Sequence, residues 1–206
     1  TRKSNLTEGY SVEQMADDYK ELIDSEFRGM VDVFIGISYG GMILTHFASK
    51  YAKSAKEIII LMAAHKGSPE GMKLDLEHAR LMAQKKQGKA FAKFAPILTQ
   101  NKLLLPFLRA MMRMAGVCSK FPSSPSYQQD VLIEGQAEIN FDSSQDLQNL
   151  TRPIWVFGGD QDYYFPLNLF QEMESLSSQI NLKILPKGGH NIMNREEYKE
   201  FLRDTL

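Results

Sequence analysis

The chain has 206 residues, of which 43% are hydrophobic and 24% are charged, and its formal net charge is −1. This length supports one well-buried domain and is short for two, so we expect one domain that carries an insertion. The near-neutral charge predicts no basic stripe for nucleic acid. The single cysteine, Cys118, excludes an internal disulfide and is expected to be a small buried hydrophobe, and no Cys/His group has the spacing of a metal site.

The hydropathy pattern predicts no membrane span. The most apolar segment, residues 97–117, is interrupted by polar side chains and by Pro106, so it falls short of a spanning helix. We therefore expect a soluble, cytoplasmic protein. The chain opens with Thr1-Arg2-Lys3 and without an initiator methionine, which leaves open a signal peptide that was removed.

The first part of the chain predicts helix, strand, helix and strand in that order. Ser11 and Gln14 match a capping box, and apolar residues then recur at helical spacing until Gly29 ends the helix. Residues 31–35 form a run that is apolar on both faces, as in a buried parallel strand. A helix to about residue 52 and a second buried strand at residues 57–63 follow.

The same alternation returns near the carboxyl end of the chain. Strands are predicted at residues 153–158 and 180–185, and helices at residues 167–177 and from about residue 195. Strands that alternate with helices indicate an α/β fold, with a mostly parallel sheet flanked by helices.

A long segment without strand character, residues 65–150, separates the second strand from the third. A connection of this length needs structure of its own, and its pattern predicts helices at residues 71–94, at residues 97–117 with an interruption at Pro106, and at residues 127–137. We expect a helical insertion at the sheet edge where ligands bind in open α/β folds.

Apolar residues of the insertion are candidates for substrate binding. Phe107, Met111 and Met112 could line an adaptable apolar pocket. The alternative is that these side chains only hold the insertion together.

The turn after the first strand carries the motif G-x-S-x-G, as Gly36-Ile37-Ser38-Tyr39-Gly40. In a nucleophile elbow the serine lies on a strained strand-to-helix turn, and the residues two before and two after it must be small because the backbones nearly touch. The amides of the following helix amino terminus stabilise developing negative charge beside the serine. Ser38 is therefore a candidate nucleophile.

A serine nucleophile needs a base and a carboxylate that orients the base. Asp160 and Asp162 follow the third strand in FGGDQD, and His190 follows the fourth strand in LPKGGH. The carboxyl ends of parallel strands lie at one edge of a sheet, so either aspartate could accompany His190. The order Ser, Asp, His is the order of a nucleophile-elbow hydrolase.

On GISYGG, PIWVFGGDQDYYFP and GGH, in this order, the chain resembles the α/β-hydrolase superfamily with a cap domain. The resemblance extends from the helix at Ser11 to the terminal helix. It implies an α/β-hydrolase core made of residues 1–64 and 151–206, incomplete at its amino end. Residues 65–150 would then form the helical cap.

The resemblance also implies roles for individual residues. The family's acid follows a G-x-x-D pattern, which maps onto Gly159 to Asp162 and selects Asp162 over Asp160 as the partner of His190. Tyr39 follows the nucleophile and would donate its backbone N–H to the oxyanion. His65, at the end of the second strand, is a candidate for contact with substrate.

The remaining histidines have structural interpretations. We expect His46 to be a packed or partly exposed residue of the helix after Ser38. We expect His78, which lies among charged residues of the cap, to be solvated.

The implied function is cleavage of an ester, thioester, lactone or related acyl compound through an acyl-Ser38 intermediate, without a cofactor or a metal. The expected partner is a small apolar acyl substrate. The sequence is also compatible with a homodimer. Acyl transfer and carbon–carbon bond hydrolysis use the same triad. A non-catalytic ligand-binding module with this fold is a further alternative.

One feature of the family is missing from this sequence. The resemblance implies several strands before Ser11, and the loop after one of them supplies a second oxyanion donor, whose loss typically costs about 100- to 1000-fold in turnover. Without those strands, residues 31–35 would also have one unpaired edge, which natural sheets rarely leave unprotected. We therefore expect the natural protein to be longer than this chain.

Overall fold

The structure, a computed structural model, describes residues 10–98, 101–120, 126–191 and 195–205. Strands and helices alternate in the first and last parts of the chain, and the middle part is helical. The elements are α1 Val12–Glu26, β1 Val31–Ile37, α2 Tyr39–Tyr51, β2 Ala55–Leu61, α3 Pro69–Ala83, α4 Gln87–Ala92, α5 Ala95–Leu98, α6 Leu105–Cys118, α7 Tyr127–Ile139, α8 Ser144–Gln148, β3 Ile154–Gly159, α9 Leu167–Leu176, β4 Ile180–Leu185 and α10 Glu196–Thr205.

The chain divides into two compact units. One unit comprises Ser11–Ser68 and Phe141–Leu206 and the other includes Pro69–Asn140; we call them the core unit and the cap unit, after the predicted segments that they overlap. Neither boundary coincides with the predicted residues 65 and 150. None of the described helices is both long and apolar enough to cross a membrane.

The core unit contains a four-stranded sheet in the order β1-β2-β3-β4, and every described pair of neighbouring strands is parallel. The predicted α/β class with a parallel sheet is confirmed. On one face of the sheet, Phe157 of β3 stacks on Phe201 of α10, with ring centroids 4.7 Å apart. Both rings are almost fully buried, at 0% and 3% exposure, and each such burial stabilises the fold by roughly 1.5–3 kcal/mol.

The first helix begins and ends as the sequence predicts. Ser11 is its N-cap, and the Ser11 hydroxyl accepts a hydrogen bond from Gln14 N at 3.1 Å. At the other end, Gly29 has a φ of 85° and donates its N–H to Ile23 O at 3.0 Å. This left-handed turn closes the helix and directs the chain into β1.

Strand β1 lies at an edge of the described sheet and pairs only with β2. Phe34 packs under α1 and α2, with its ring 5.6 Å from Tyr19 and 4.9 Å from Phe47. On the other face, Ile35 and Ile37 are 39% and 40% exposed. The prediction that both faces of this strand are buried is therefore wrong for its second half.

Strand β2 begins and ends two residues earlier than predicted. It ends at Leu61, although the apolar residues continue through Met62, Ala63 and Ala64, which are all buried. Met62 has a φ of 52°, which L-residues rarely adopt. The apolar pattern therefore continues past β2 because the loop that follows it is also buried.

In the cap unit, α7 begins at the predicted residue 127 and ends two residues later than predicted, whereas the other helices are shorter than predicted. The segment 71–94 contains two helices, α3 and α4, rather than one, and Pro106 lies in the first turn of α6 instead of interrupting a helix. Proline is favoured in a first turn because its missing N–H has no helical partner there. The prediction that Pro106 interrupts a helix is wrong.

Two further residues of the cap unit differ from their predicted environments. His78 packs against the rings of Phe91 and Phe94, at 6.1 and 4.4 Å, and burial lowers the pKa of His78 to about 4. His78 is therefore neutral near pH 7 and is not solvated. Cys118, expected to be buried, is exposed at the end of α6.

Candidate active site

Ser38 lies between β1 and α2 in a strained backbone conformation. Its φ is 52° and its ψ is −119°, which a non-glycine residue adopts at a cost of about 1–3 kcal/mol. Ser38 N donates to Leu61 O at 2.9 Å, and Ser38 O accepts from Gly41 N and Met42 N at 2.8 and 3.1 Å. These main-chain hydrogen bonds hold the strained turn from both sides.

The small residues around Ser38 differ in what they do. A Cβ on Gly36 would lie 2.3 Å from Gly40 O, and a Cβ on Gly41 would lie 2.6 Å from Ala63 Cβ. A Cβ on Gly40 would meet nothing within 4 Å. The turn therefore requires glycine at Gly36 and Gly41, and the expectation that Gly40 is required for space is wrong.

The side chains of Ser38, His190 and Asp162 form one line of hydrogen bonds. Ser38 Oγ lies 2.9 Å from His190 Nε2, and His190 Nδ1 lies 2.8 Å from Asp162 Oδ2. A carboxylate can only accept, so Nδ1 carries the proton and Nε2 is left to accept from the Ser38 hydroxyl. The tautomer of His190 therefore suits it to take a proton from Ser38.

Asp162 is held by the backbone as well as by His190. Its side chain is buried, and Oδ1 accepts hydrogen bonds from Tyr164 N at 2.8 Å and from Phe165 N at 3.1 Å. Asp160 is not part of this arrangement, and its Oδ1 has no hydrogen-bond partner among the described residues. The geometry therefore distinguishes the two aspartates that follow β3.

Two glycines bring the turn after β3 against the turn after β4. A Cβ on Gly159 would lie 2.2 Å from Gly188 O, so the two backbones touch. Gln161 N also donates to Gly188 O at 2.8 Å. This contact sets the distance between the turn that carries Asp162 and the turn that carries His190.

Aromatic rings and a serine that the sequence motifs do not predict support the same region. The ring of His190 lies 4.8 Å from that of Tyr164 and 5.9 Å from that of Phe165. Ser68 N donates to Tyr164 O at 2.8 Å, and Ser68 Oγ donates to Tyr163 O at 3.0 Å. The run YYF directly after Asp162 was the only signal of these contacts in the sequence.

His65 is fully buried, which contradicts its predicted contact with substrate. Its side chain has 0% exposure, and its Nε2 lies 3.3 Å from Glu172 Oε1 without the alignment of a hydrogen bond. Burial lowers the pKa of His65, although Glu172 acts in the opposite direction. The backbone of His65 is also engaged, since His65 O accepts from Ser143 N and Ser143 Oγ. His65 therefore has a structural position within the core unit.

His46 also makes a specific contact that the sequence did not predict in detail. Its Nδ1 lies 2.8 Å from Asp146 Oδ2, and Asp146 belongs to α8. No pattern in the sequence predicted that short helix. The contact ties α2, which begins after Ser38, to the chain that precedes β3.

The other predicted site residues lie on two helices. Tyr39 is the first residue of α2, in the core unit. Phe107, Met111 and Met112 lie on α6 of the cap unit, where Phe107 and Met111 are 68% and 47% exposed. Their contact with a substrate stays a prediction.

Solved structures of hydrolases are similar to this chain. One is MGS-M2, an alpha/beta hydrolase enzyme from a Medee basin deep-sea metagenome library, with a TM-score of 0.77, 18% identity, and coverage of 100% of this chain and 74% of that protein. The enol-lactonase from Burkholderia xenovorans has a TM-score of 0.67 and 18% identity, over 95% of this chain and 71% of that protein.

A third similar structure is a thermophilic esterase from Thermogutta terrifontis, with a TM-score of 0.64, 24% identity, and coverage of 95% of this chain and 73% of that protein. No curated protein matches the sequence. The family described as alpha/beta hydrolase fold matches residues 1–194. The chain therefore belongs to the alpha/beta hydrolase fold family.

Proposed function

We propose that this chain is a serine hydrolase that cleaves an ester, thioester, lactone or related acyl compound through an acyl-Ser38 intermediate. One observation carries the proposal: Ser38 Oγ, the His190 ring and Asp162 Oδ2 are joined by contacts of 2.9 and 2.8 Å. A serine hydroxyl becomes a nucleophile at neutral pH when a base of this kind accepts its proton. The proposed roles of these residues follow from their contacts.

In the first half of the reaction, Ser38 Oγ attacks the carbonyl carbon of the substrate while His190 Nε2 accepts the hydroxyl proton. The carbonyl oxygen becomes an oxyanion, and the backbone N–H of Tyr39, at the amino end of α2, would donate to it. His190 then gives the proton to the leaving alcohol, thiol or enol as the carbon–oxygen or carbon–sulfur bond breaks. Acyl-Ser38 remains.

In the second half, water replaces the leaving group. His190 Nε2 accepts a proton from the water as its oxygen attacks the acyl carbon, and His190 returns that proton to Ser38 Oγ when the acid leaves. Throughout both halves, Asp162 accepts hydrogen bonds from two backbone N–H groups and from His190 Nδ1. It orients the ring and stabilises its charged form.

The names of the similar structures support cleavage of an acyl compound, and they do not select one class of acyl substrate. They include an esterase and an enol-lactonase, and also a meta-cleavage product hydrolase from Pseudomonas fluorescens that is 16% identical to this chain. Attack on an acyl carbon is common to ester and lactone cleavage. We propose Phe107, Met111 and Met112 as the residues that contact the acyl chain.

Labelling with a fluorophosphonate tests the proposal directly. We expect mass spectrometry of the intact chain to show one adduct, located on Ser38 and absent from Ser38→Ala. Ser49→Ala is a matched control, because Ser49 Oγ lies on the same helix α2 and donates to His46 O at 2.8 Å. Ser49→Ala should label like the parent chain.

Two outcomes would contradict the proposed function. Unchanged labelling of Ser38→Ala would mean that another residue reacts. A folded chain that neither labels nor hydrolyses esters, yet binds apolar acyl compounds, would indicate a ligand-binding module instead. In that case the strained conformation of Ser38 would need another explanation.

A further inference from the structure

A cleft in the cap unit gathers four cations from two helices. The cleft has a volume of about 530 Å³, and Lys89, Lys93, Arg109 and Arg113 line it. Arg109 and Arg113 are four residues apart on α6, and Lys89 and Lys93 are four residues apart on and directly after α4. Residues at this spacing share a helix face, and like charges there repel each other and destabilise the helix.

Close packing of the two helices brings these cations together. A Cβ on Gly88 of α4 would lie 2.9 Å from Arg113 O, and a Cβ on Gly116 of α6 would lie 2.7 Å from Gln87 O. The two helix backbones are therefore in contact at the glycines. This contact places the four cationic side chains, which two neighbouring helices carry, around one cleft.

The surrounding chain offers few acidic groups to balance them. Lys93 Nζ lies 2.5 Å from Glu77 Oε2, and this hydrogen bond holds the pKa of Glu77 below its ordinary value. Lys89, Arg109 and Arg113 form no ion pair with any residue in the described part of the chain. Residues 78–129 contain nine Lys and Arg and no Asp or Glu. This segment is therefore strongly basic, although the formal net charge of the whole chain is −1.

The rest of the cleft wall is apolar. Leu74 of α3, Ala92 of α4 and Pro96 of α5 contribute to it, and the volume lies within the range of small-molecule pockets. Guanidinium groups suit planar oxyanions, to which they donate two parallel hydrogen bonds. A ligand that contacts both the guanidinium groups and the apolar wall would carry an oxyanion on an apolar body.

We propose that this cleft binds a small amphiphilic carboxylate. The two arginines hold the carboxylate, the exposed Lys89 adds long-range attraction, and the apolar wall contacts the alkyl part. This site lies within the cap unit and is independent of the reaction at Ser38. It is a binding site, and no bond forms or breaks in it.

Isothermal titration calorimetry with octanoate tests the proposal. Octanol matches the apolar part without the charge, acetate matches the charge without the chain, and octyl phosphate and inorganic phosphate test other oxyanions. We expect octanoate to bind at one site, more tightly than octanol or acetate by at least about tenfold, as expected for one charge-assisted interaction. Its affinity should fall as salt is raised, because exposed charges are screened.

Matched variants locate the site. The double variant Arg109→Gln, Arg113→Gln should bind octanoate at least about tenfold more weakly than the parent chain. The double variant Arg109→Lys, Arg113→Lys keeps both positive charges and should retain part of the affinity. Arg80→Gln is the control, because Arg80 is an exposed residue of α3 in the same unit and does not line the cleft. Circular dichroism and thermal unfolding establish that each variant is folded.

Two results would overturn the proposal. One is equal octanoate affinity in the parent chain and in the folded Arg109→Gln, Arg113→Gln variant; the other is octanol binding as tightly as octanoate. Tighter binding of octyl phosphate than octanoate would overturn the choice of carboxylate. Each titration is repeated after fluorophosphonate labelling, which separates octanoate held near Ser38 from octanoate held in the cleft. If the fluorophosphonate fails to label Ser38, the proposed hydrolase function is contradicted. The titrations of the arginine variants would still test binding in the cleft.

Discussion

Replacement of Asp162 by asparagine is expected to reverse the tautomer of His190. In the parent chain, Asp162 Oδ1 accepts from Tyr164 N and Phe165 N, at 2.8 and 3.1 Å, while Oδ2 accepts from His190 Nδ1. An asparagine amide nitrogen at the Oδ1 position would face two N–H donors. Two charge-assisted hydrogen bonds of about 1.5–3 kcal/mol each would be lost there, so the amide nitrogen should face His190 instead.

His190 Nδ1 must then accept a hydrogen bond, and the proton moves to Nε2. A protonated Nε2 cannot accept the Ser38 hydroxyl proton across the 2.9 Å contact. We expect the turnover number for a p-nitrophenyl ester to fall by about 10⁴-fold, the size seen when the wrong tautomer is imposed on a serine triad. KM should change far less, because the Asp162 side chain is fully buried and is proposed to act only through His190.

Asp160→Asn is the matched control for this prediction. The same chemical change is made two residues away, on a side chain whose Oδ1 has no partner in the described structure. Its turnover should stay within about tenfold of the parent value. Equal losses in the two variants, or an Asp162→Asn variant that keeps most of its turnover, would refute the assignment of Asp162.

Gly159→Ala should lower the free energy of unfolding by about 1–3 kcal/mol and reduce turnover, because its Cβ would lie 2.2 Å from Gly188 O. Gly189→Ala, whose Cβ would meet nothing within 4 Å, should leave the melting temperature nearly unchanged. A third prediction concerns Glu138, whose pKa is raised to about 8 by burial and by Asp75. The folded chain binds this proton more tightly than the unfolded chain, so stabilisation that is complete below about pH 4 is lost as the pH rises to 8. The side chain keeps part of its exposure, so we expect a loss of about 1–3 kcal/mol, absent from Glu138→Gln in denaturant titrations at several pH values. The fourth prediction is that medium-chain esters outperform acetyl esters, by up to about 0.8 kcal/mol per buried methylene, and that Phe107→Ala reduces this preference in kcat/KM.

The sequence predicts the fold well where the local residue pattern agrees with the contacts that the segment makes in the folded chain. The strand, turn and helix around Ser38 follow from β-branched residues and closely spaced glycines, and β4 occupies the predicted residues 180–185. The predicted fold class and superfamily are confirmed by the parallel sheet and by the family match. The spacing of apolar residues is sufficient in these places, because a helix and a strand bury residues at different intervals along the chain.

Errors arose where burial depends on residues far apart in the chain. The apolar pattern predicts β2 two residues too late, because Met62 and Ala63 are buried by the loop rather than by strand pairing. His78 has charged neighbours in sequence, yet Phe91 and Phe94 cover it in space. His65 follows a strand end, where site residues are common, but it is closed off by the chain around it. A single sequence contains no signal for such contacts.

The choice between Asp160 and Asp162 also shows what a motif leaves out. The spacing G-x-x-D favours Asp162, but it doesn't explain why the carboxylate meets His190. The explanation lies in the N–H groups of Tyr164 and Phe165, which fix Oδ1, and in the glycine contact that sets the distance between the two turns. These features are backbone geometry, which side-chain patterns encode only indirectly.

Main-chain hydrogen bonds connect the turns at the carboxyl edge of the sheet, and they account for the alignment of three side chains that come from three separate strands. Each bond joins the end of one strand, or the turn after it, to the neighbouring strand or its turn, so the positions of the turns depend little on which side chains the strands carry. The bonds are Ser38 N to Leu61 O at 2.9 Å, Met62 N to Phe157 O at 2.8 Å and Gln161 N to Gly188 O at 2.8 Å.

This arrangement separates the residues that position the site from those proposed to react in it. Conservative apolar changes in the strands should shift the alignment only slightly, because volume-conserving swaps cost less than about 1.5 kcal/mol and leave the main-chain bonds in place. A methyl group at Gly36 or Gly159 acts differently, since it would push two backbones apart at contacts of 2.3 and 2.2 Å. The glycines near the strand ends therefore constrain the geometry of the proposed triad more tightly than the apolar residues within the strands.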